Sequence, residues 1–229
     1  MPEKRIAVIV AHPDDEVLGF GGTIAQHRNA GDRVDVLIMA TGLAARSHGV
    51  HLGSVALTRL RDQARAAAKI LDSNALEFAD FPDNRMDDVP LLEVVKRIEA
   101  FLKTYHSNMV YTHHLGDLNI DHEIVGRAVL TACRPLPSAE VMTILSGEAI
   151  SSTEWSPPSN RFIPTEYVDI AATLERKLAA LKCYANELRD WPHPRSLRGV
   201  EVIAQTRGSE AGLSAAEAFA TMRRVRLQP

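Results

Sequence analysis

The chain has 229 residues, long for one average domain and short for two, so a single domain spanning 1–229 is expected. Apolar residues make up 45% and charged residues 24%, which excludes a disordered, collagenous or coiled-coil chain. With 26 Lys and Arg against 29 Asp and Glu the net charge is −3, so no nucleic-acid partner is expected.

No apolar run approaches the roughly 20 residues needed to cross a bilayer, so no membrane partner is expected either. Glu3, Lys4 and Arg5 lead straight into a strand-like run rather than a signal-peptide core. Cys133 and Cys183 read as reduced core residues. The expected location is the cytoplasm. Charge is uneven: residues 173–229 carry 10 basic against 6 acidic residues. Arg-rich helix surfaces explain this by default, and a flank that guides an anionic substrate is the alternative.

Arg5–Ala11 crowds Ile and Val into a short run and predicts a buried strand. Gly21–Ala30 predicts a short helix closed by Gly31. Val34–Met39 is a second strand and Thr58–Leu71 an Ala- and Arg-rich helix. Leu76–Phe78 predicts a short strand, Leu91–Tyr105 a helix, Met109–Thr112 a strand, Asp121–Cys133 a helix and Val141–Leu145 a final strand. This alternation implies βαβ units and a Rossmann-like, mainly parallel α/β sheet sandwiched by helices. Residues 146–167, rich in Pro, Ser and Thr, read as an irregular excursion. Three helices are expected beyond it, over Thr173–Tyr184, Leu197–Arg207 and Ser214–Arg224. The chain thus divides into an α/β metal-binding core over 1–145 and a substrate-loop and helical C-terminal extension over 146–229.

The densest chemical signal is Ala11-His12-Pro13-Asp14-Asp15-Glu16, directly after the first strand. Like charges this close at a strand end repel, and burial raises the cost. A divalent cation resolves the conflict. His12 and Asp15, three apart, reach one ion across a turn stiffened by Pro13, and Asp14 is left free to take a proton from a bound water. Helix capping would need one Asp rather than three acids and a histidine. A second segment, Thr112-His113-His114-Leu-Gly-Asp117-Leu-Asn119-Ile-Asp121-His122, runs from another strand end into a helix. It offers three histidines for the third ligand of a catalytic zinc site.

The segment at 11–16, followed by Gly19-Phe-Gly-Gly-Thr23, resembles the opening of the PIG-L/LmbE-like family of zinc-dependent N-deacetylases. Asp121-His122 resembles that family's second metal motif, and Phe81-Pro-Asp-Asn and Val110-Tyr-Thr-His stand in the same order. The resemblance implies His12, Asp15 and His122 as ligands of one Zn2+ per chain, and Asp14 as general base. Iron(II) also suits two histidines and one carboxylate. Many members carry a histidine where this chain has Asn119; His113 or His114 is the available substitute for its assisting role, and His113 lies nearer the strand end.

The expected reaction is hydrolysis of an N-acetyl group from an amino sugar or sugar-containing small molecule, free or nucleotide-linked. A zinc amidase for a non-sugar N-acyl compound is the alternative. A homo-oligomer is compatible with the family. Candidate substrate contacts are Arg46, in the loop after the second strand, together with His114, Asn119 and Asp121. His48, His51, Arg59, Arg61, Arg65, Lys177 and Lys182 read as solvent-facing by default. Asp80-Phe-Pro-Asp83-Asn84-Arg85 is a turn that could line the rim. Trp155 is a candidate sugar-stacking surface, and His193, in the rigid Trp191-Pro-His-Pro, reads as part of a structural turn or as held over the pocket.

Overall fold

The computed structural model describes residues 4–42, 54–137 and 139–226. Arg46, His48 and His51 lie outside these residues. The elements are β1 (Arg5–Val10), α1 (Asp15–Asn29), β2 (Arg33–Ala40), α2 (Ser54–Leu71), β3 (Ala75–Phe81), α3 (Leu91–Tyr105), β4 (Met109–His113), α4 (Ile120–Ala132), β5 (Thr143–Gly147), β6 (Glu166–Asp169), α5 (Leu174–Leu181), α6 (Leu197–Ala211) and β7 (Ala216–Arg224).

They build one seven-stranded sheet in the order β3-β2-β1-β4-β5-β7-β6. The first five neighbours pair in parallel, whereas β7 runs antiparallel to both β5 and β6. The alternation of β1 explains why helices cover both faces. Ile6, Val8 and Val10 join a core with Val17 and Phe20 of α1, Leu60 of α2 and Leu178 of α5. Ala7 and Ile9 join a second core with Val94 and Ile98 of α3 and Val125 and Val129 of α4. Each large apolar side chain fully buried in this way stabilises the fold by about 1.5–3 kcal/mol. Among the described residues no helix is long and apolar enough to cross a membrane.

Four expectations need correction. The first helix begins at Asp15, six residues before the expected Gly21. The glycines of this helix let it pack closely: a Cβ on Gly22 would lie 2.7 Å from Ile170 Cγ2. The expected helix over Ser214–Arg224 is instead strand β7, and the irregular excursion ends by running into strand β6 at Glu166. Ala-rich β7 favours helix locally, but pairing on both edges overrides propensity. Lys177 is not solvent-facing: it is 2% exposed, and its Nζ donates to Glu217 Oε1 at 2.6 Å and to the Leu18 carbonyl at 2.7 Å.

The order of strands places β1 beside β2 on one side and β4 on the other. Chain connections diverge at this point, the place where sheets of this kind carry their ligand crevice, beyond the carboxyl ends of β1 and β4. Both chemical segments identified in the sequence leave the sheet there.

Candidate metal centre

Residues 11–14 turn sharply off β1. Asp14 precedes α1 at φ 108°, a conformation that is rare for a residue with a side chain. Its side chain makes no capping hydrogen bond. The carboxylates run the other way: Asp15 Oδ2 accepts from the His12 amide at 2.8 Å and Glu16 Oε2 from the Asp14 amide at 3.0 Å. The turn is thereby closed on itself, and Asp14 and His12 are released toward the crevice. α4 brings in the other half. Asn119 caps it by accepting from the Asp121 amide at 2.9 Å, so Asp121 and His122 enter from a rigid first turn.

Three ligand-type atoms converge. His12 Nδ1 and His122 Nε2 lie 3.2 Å apart, and Asp15 Oδ2 lies 3.4 Å from the first and 3.2 Å from the second. The opposite ring nitrogens are held by other carboxylates. His12 Nε2 meets Asp121 Oδ2 at 3.0 Å and Asp83 Oδ1 at 3.1 Å, and His122 Nδ1 meets Asp117 Oδ1 at 3.0 Å. A histidine whose far N–H is held by a carboxylate presents its near nitrogen as a lone pair, the usual arrangement of metal-binding imidazoles. Asp15 Oδ1 is buried without a hydrogen-bond partner among the described residues. The donor set of two nitrogens and one oxygen, with an orphaned carboxylate oxygen, fits a divalent cation.

His12 with Asp83 and Asp121 forms a second grouping of ligand-type residues. It is the weaker candidate, because both Asp121 oxygens already accept backbone amides, from Asn84 at 2.6 Å and Met86 at 3.0 Å.

Charge follows the same pattern. Burial works against the charged form of His122, but Asp15 and Asp117 outweigh it and lift its pKa to about 9. Burial pushes Asp117 upward, yet hydrogen bonds from His122, Ser152 and Thr153 bring it down to about 2. Asp14, 2% exposed, is pushed up to about 7 by burial, with Arg195 working in the other direction. Arg195 Nη1 lies 3.1 Å from Asp14 Oδ2. Glu16 is lifted to about 8 by burial, although the Tyr184 hydroxyl donates to it at 2.5 Å.

His12, Asp14, Asp15 and His122 thus come together. The other sequence candidates stand differently. His113 is fully buried, its ring stacked parallel on His122 at 4.0 Å, and its Nε2 accepts the Ala11 amide at 2.8 Å. That leaves no face for a substrate. Asp121 is likewise fully buried, against His12. Asn119 is spent on the cap and on Asn84 Oδ1, 3.1 Å from its Nδ2. His114 Nε2 lies 2.9 Å from the Asn160 carbonyl, and its ring meets Phe162 edge-on. Burial and the neighbouring His122 lower the pKa of His113, so it sits behind the centre as a neutral support.

Sequence reasoning missed three contributors: Asp83, placed on the rim but bound to His12; Asp117, held by Ser152 Oγ and Thr153 Oγ1; and Arg195. Asp117 lay inside the second motif and was recoverable from its acidic pattern. Nothing local marks Arg195.

Fold and site together define an α/β protein whose two-histidine, one-carboxylate centre sits where the sheet connections diverge. The chain belongs to the PIG-L family, described as GlcNAc-PI de-N-acetylase, which matches residues 7–133. It is 29% identical over 185 residues to the uncharacterized deacetylase YaiS of Escherichia coli, covering 78% of this chain and 89% of that one. It is also 26% identical to 4-oxalmesaconate hydratase of Pseudomonas putida, over 84% of this chain and 77% of that one. Its fold matches N,N′-diacetylchitobiose deacetylase from Pyrococcus horikoshii with a TM-score of 0.79, at 20% identity, covering 97% of this chain and 85% of that chain.

Proposed function

We propose that the chain is a metal-dependent hydrolase that removes an N-acetyl group from an amino sugar or sugar-containing small molecule. The observation that carries this reading is the convergence of His12 Nδ1, Asp15 Oδ2 and His122 Nε2 beside the carboxylate of Asp14. Those three residues are the proposed ligands, with Zn2+ the best match to the donors and iron(II) the alternative. A cation held there would supply Lewis acidity toward the amide carbonyl. The names of the family and of the chitobiose deacetylase support the sugar substrate.

Asp14 is the proposed general base. It takes a proton as a water oxygen attacks the carbonyl carbon, and returns it to nitrogen as the C–N bond breaks, giving acetate and a free amine. A carboxyl lifted to about 7 by burial is suited to both transfers near neutrality. Arg195 restrains its orientation. His113 is reassigned from assisting catalysis to holding the Ala11 backbone and the His122 ring in place.

The test pairs metal content of the purified protein with acetate release from N-acetylglucosamine and N,N′-diacetylchitobiose. About one cation per chain is expected. Asp14→Ala should keep it and lose at least about 100-fold in turnover, whereas His12→Ala and His122→Ala should lose it. No bound cation after supplying zinc would sink the reading.

A further inference from the structure

Two stretches from the second half of the chain lean on the centre, each tied to it by side chains. The first is the turn at 151–155. Ser152 Oγ and Thr153 Oγ1 donate to Asp117, the carboxylate that holds His122. Glu154 staples the same turn by accepting the Ser151 amide at 2.7 Å and the Ser152 amide at 3.2 Å. The second is the stretch 191–195, whose Arg195 reaches Asp14 and also donates from Nε to Ser151 Oγ at 2.5 Å. The two stretches are therefore locked to one another as well as to the site.

Each carries a ring beside its anchor. Trp155 follows Thr153 by two residues and is 53% exposed despite its rigid mounting. The His193 ring meets it edge-on, with centroids 6.2 Å apart at 89°. His193 Nδ1 accepts the Arg195 amide at 3.1 Å, so the proton of the neutral imidazole sits on Nε2. Trp191 is differently engaged: the Arg198 guanidinium lies 4.6 Å over its ring. A large exposed indole costs solvation unless something covers it, and an aromatic face with a neighbouring N–H donor matches the C–H face and hydroxyls of a pyranose.

We propose that Trp155 and His193 form a ring-binding subsite: the indole carries a pyranose whose N-acetyl group reaches the His12–Asp15–His122 centre, and His193 donates to a ring hydroxyl. This rests on the deacetylase reading and narrows it to substrates with a saturated sugar ring beside the amide.

The chain holds two tryptophans, so Trp191→Phe leaves Trp155 as the sole indole reporter. Its emission should change saturably on titration with N,N′-diacetylchitobiose. In acetate-release kinetics Trp155→Ala should raise KM about 5- to 10-fold, with kcat and bound metal little changed, and Trp155→Phe should recover most of the loss. Acetate release with unmoved emission and unchanged KM would overturn the subsite and leave the deacetylase reading standing. Neither release nor emission change with either sugar would remove the sugar deacetylase reading, and the subsite with it.

Discussion

Asp117 holds one oxygen 3.0 Å from His122 Nδ1 and receives the hydroxyls of Ser152 and Thr153. Asp117→Asn keeps the shape and removes the charge. As a carboxylate, Asp117 can only accept, which forces the His122 proton onto Nδ1 and leaves Nε2 as a lone pair toward His12 and Asp15. An asparagine can turn its NH2 to His122 and accept the opposite tautomer, with a proton on Nε2 where a cation would be bound. Loss of such an outer carboxylate weakens metal affinity about 10- to 100-fold, or about 1.4–2.7 kcal/mol. Competition with a chelator of known zinc affinity reads this directly, with thermal unfolding as the check on folding. Thr153→Ala is the control, because it loosens the turn and spares the His122 contact; its zinc affinity should stay near wild type. Equal zinc affinity for Asp117→Asn and wild type would refute the tautomer argument.

Two further variants probe the frame. Lys177→Met leaves Glu217 buried beside the Gly22 and Thr23 amides without its cation, and should destabilise by about 3–5 kcal/mol. Urea unfolding measures it, and adding Glu217→Gln should recover most of the loss. Burial lowers the His27 pKa against the pull of Asp32, so the unfolded chain binds the extra proton first and the folded state loses stability as pH falls below about 6.5. The Asp32 carboxylate is also held below its ordinary value, with His27 and Lys4 outweighing burial, so its contribution disappears on further acidification. His27→Gln should flatten the decline in urea midpoint between neutrality and pH 5.5; an unchanged slope would remove His27 as its source.

How far the sequence reads correctly follows the reach of each interaction. β1, β2 and β4 announce themselves because both faces of a central parallel strand are apolar, as in Ile6 through Val10, all buried. The centre is readable for a related reason: its converging residues come from two contiguous segments, His12–Asp15 and Asp121–His122, whose spacing survives without knowledge of the rest. What stays hidden depends on distant partners. Lys177 looks like an ordinary helix-surface lysine until Glu217, 40 positions later, is placed against it by β7. β7 itself looks helical until β5 and β6 flank it. Arg195 reaches Asp14 across 181 positions and has no local signature. His113 carries the opposite lesson. A histidine at a strand end beside two metal motifs invites a catalytic role, but the parallel stack on His122 and the bond from Ala11 consume both its surface and its lone pair.

The relatives named for deacetylation and for hydration share the first half of their chemistry. Deacetylation and hydration both add the oxygen of water to a trigonal carbon, and both need a base beside the attacking water. On the proposed reading, His12, Asp14, Asp15 and His122 would supply that common half. The reactions part afterwards. A hydratase returns a proton to carbon and keeps both halves of its substrate, whereas a deacetylase must protonate nitrogen and release an amine. On the proposed reading, discrimination would fall to whatever aligns the substrate over the centre, the role proposed for the turn at 151–155 and the stretch at 191–195. Acetate release distinguishes the two outcomes chemically, since addition without cleavage yields one product and hydrolysis yields two.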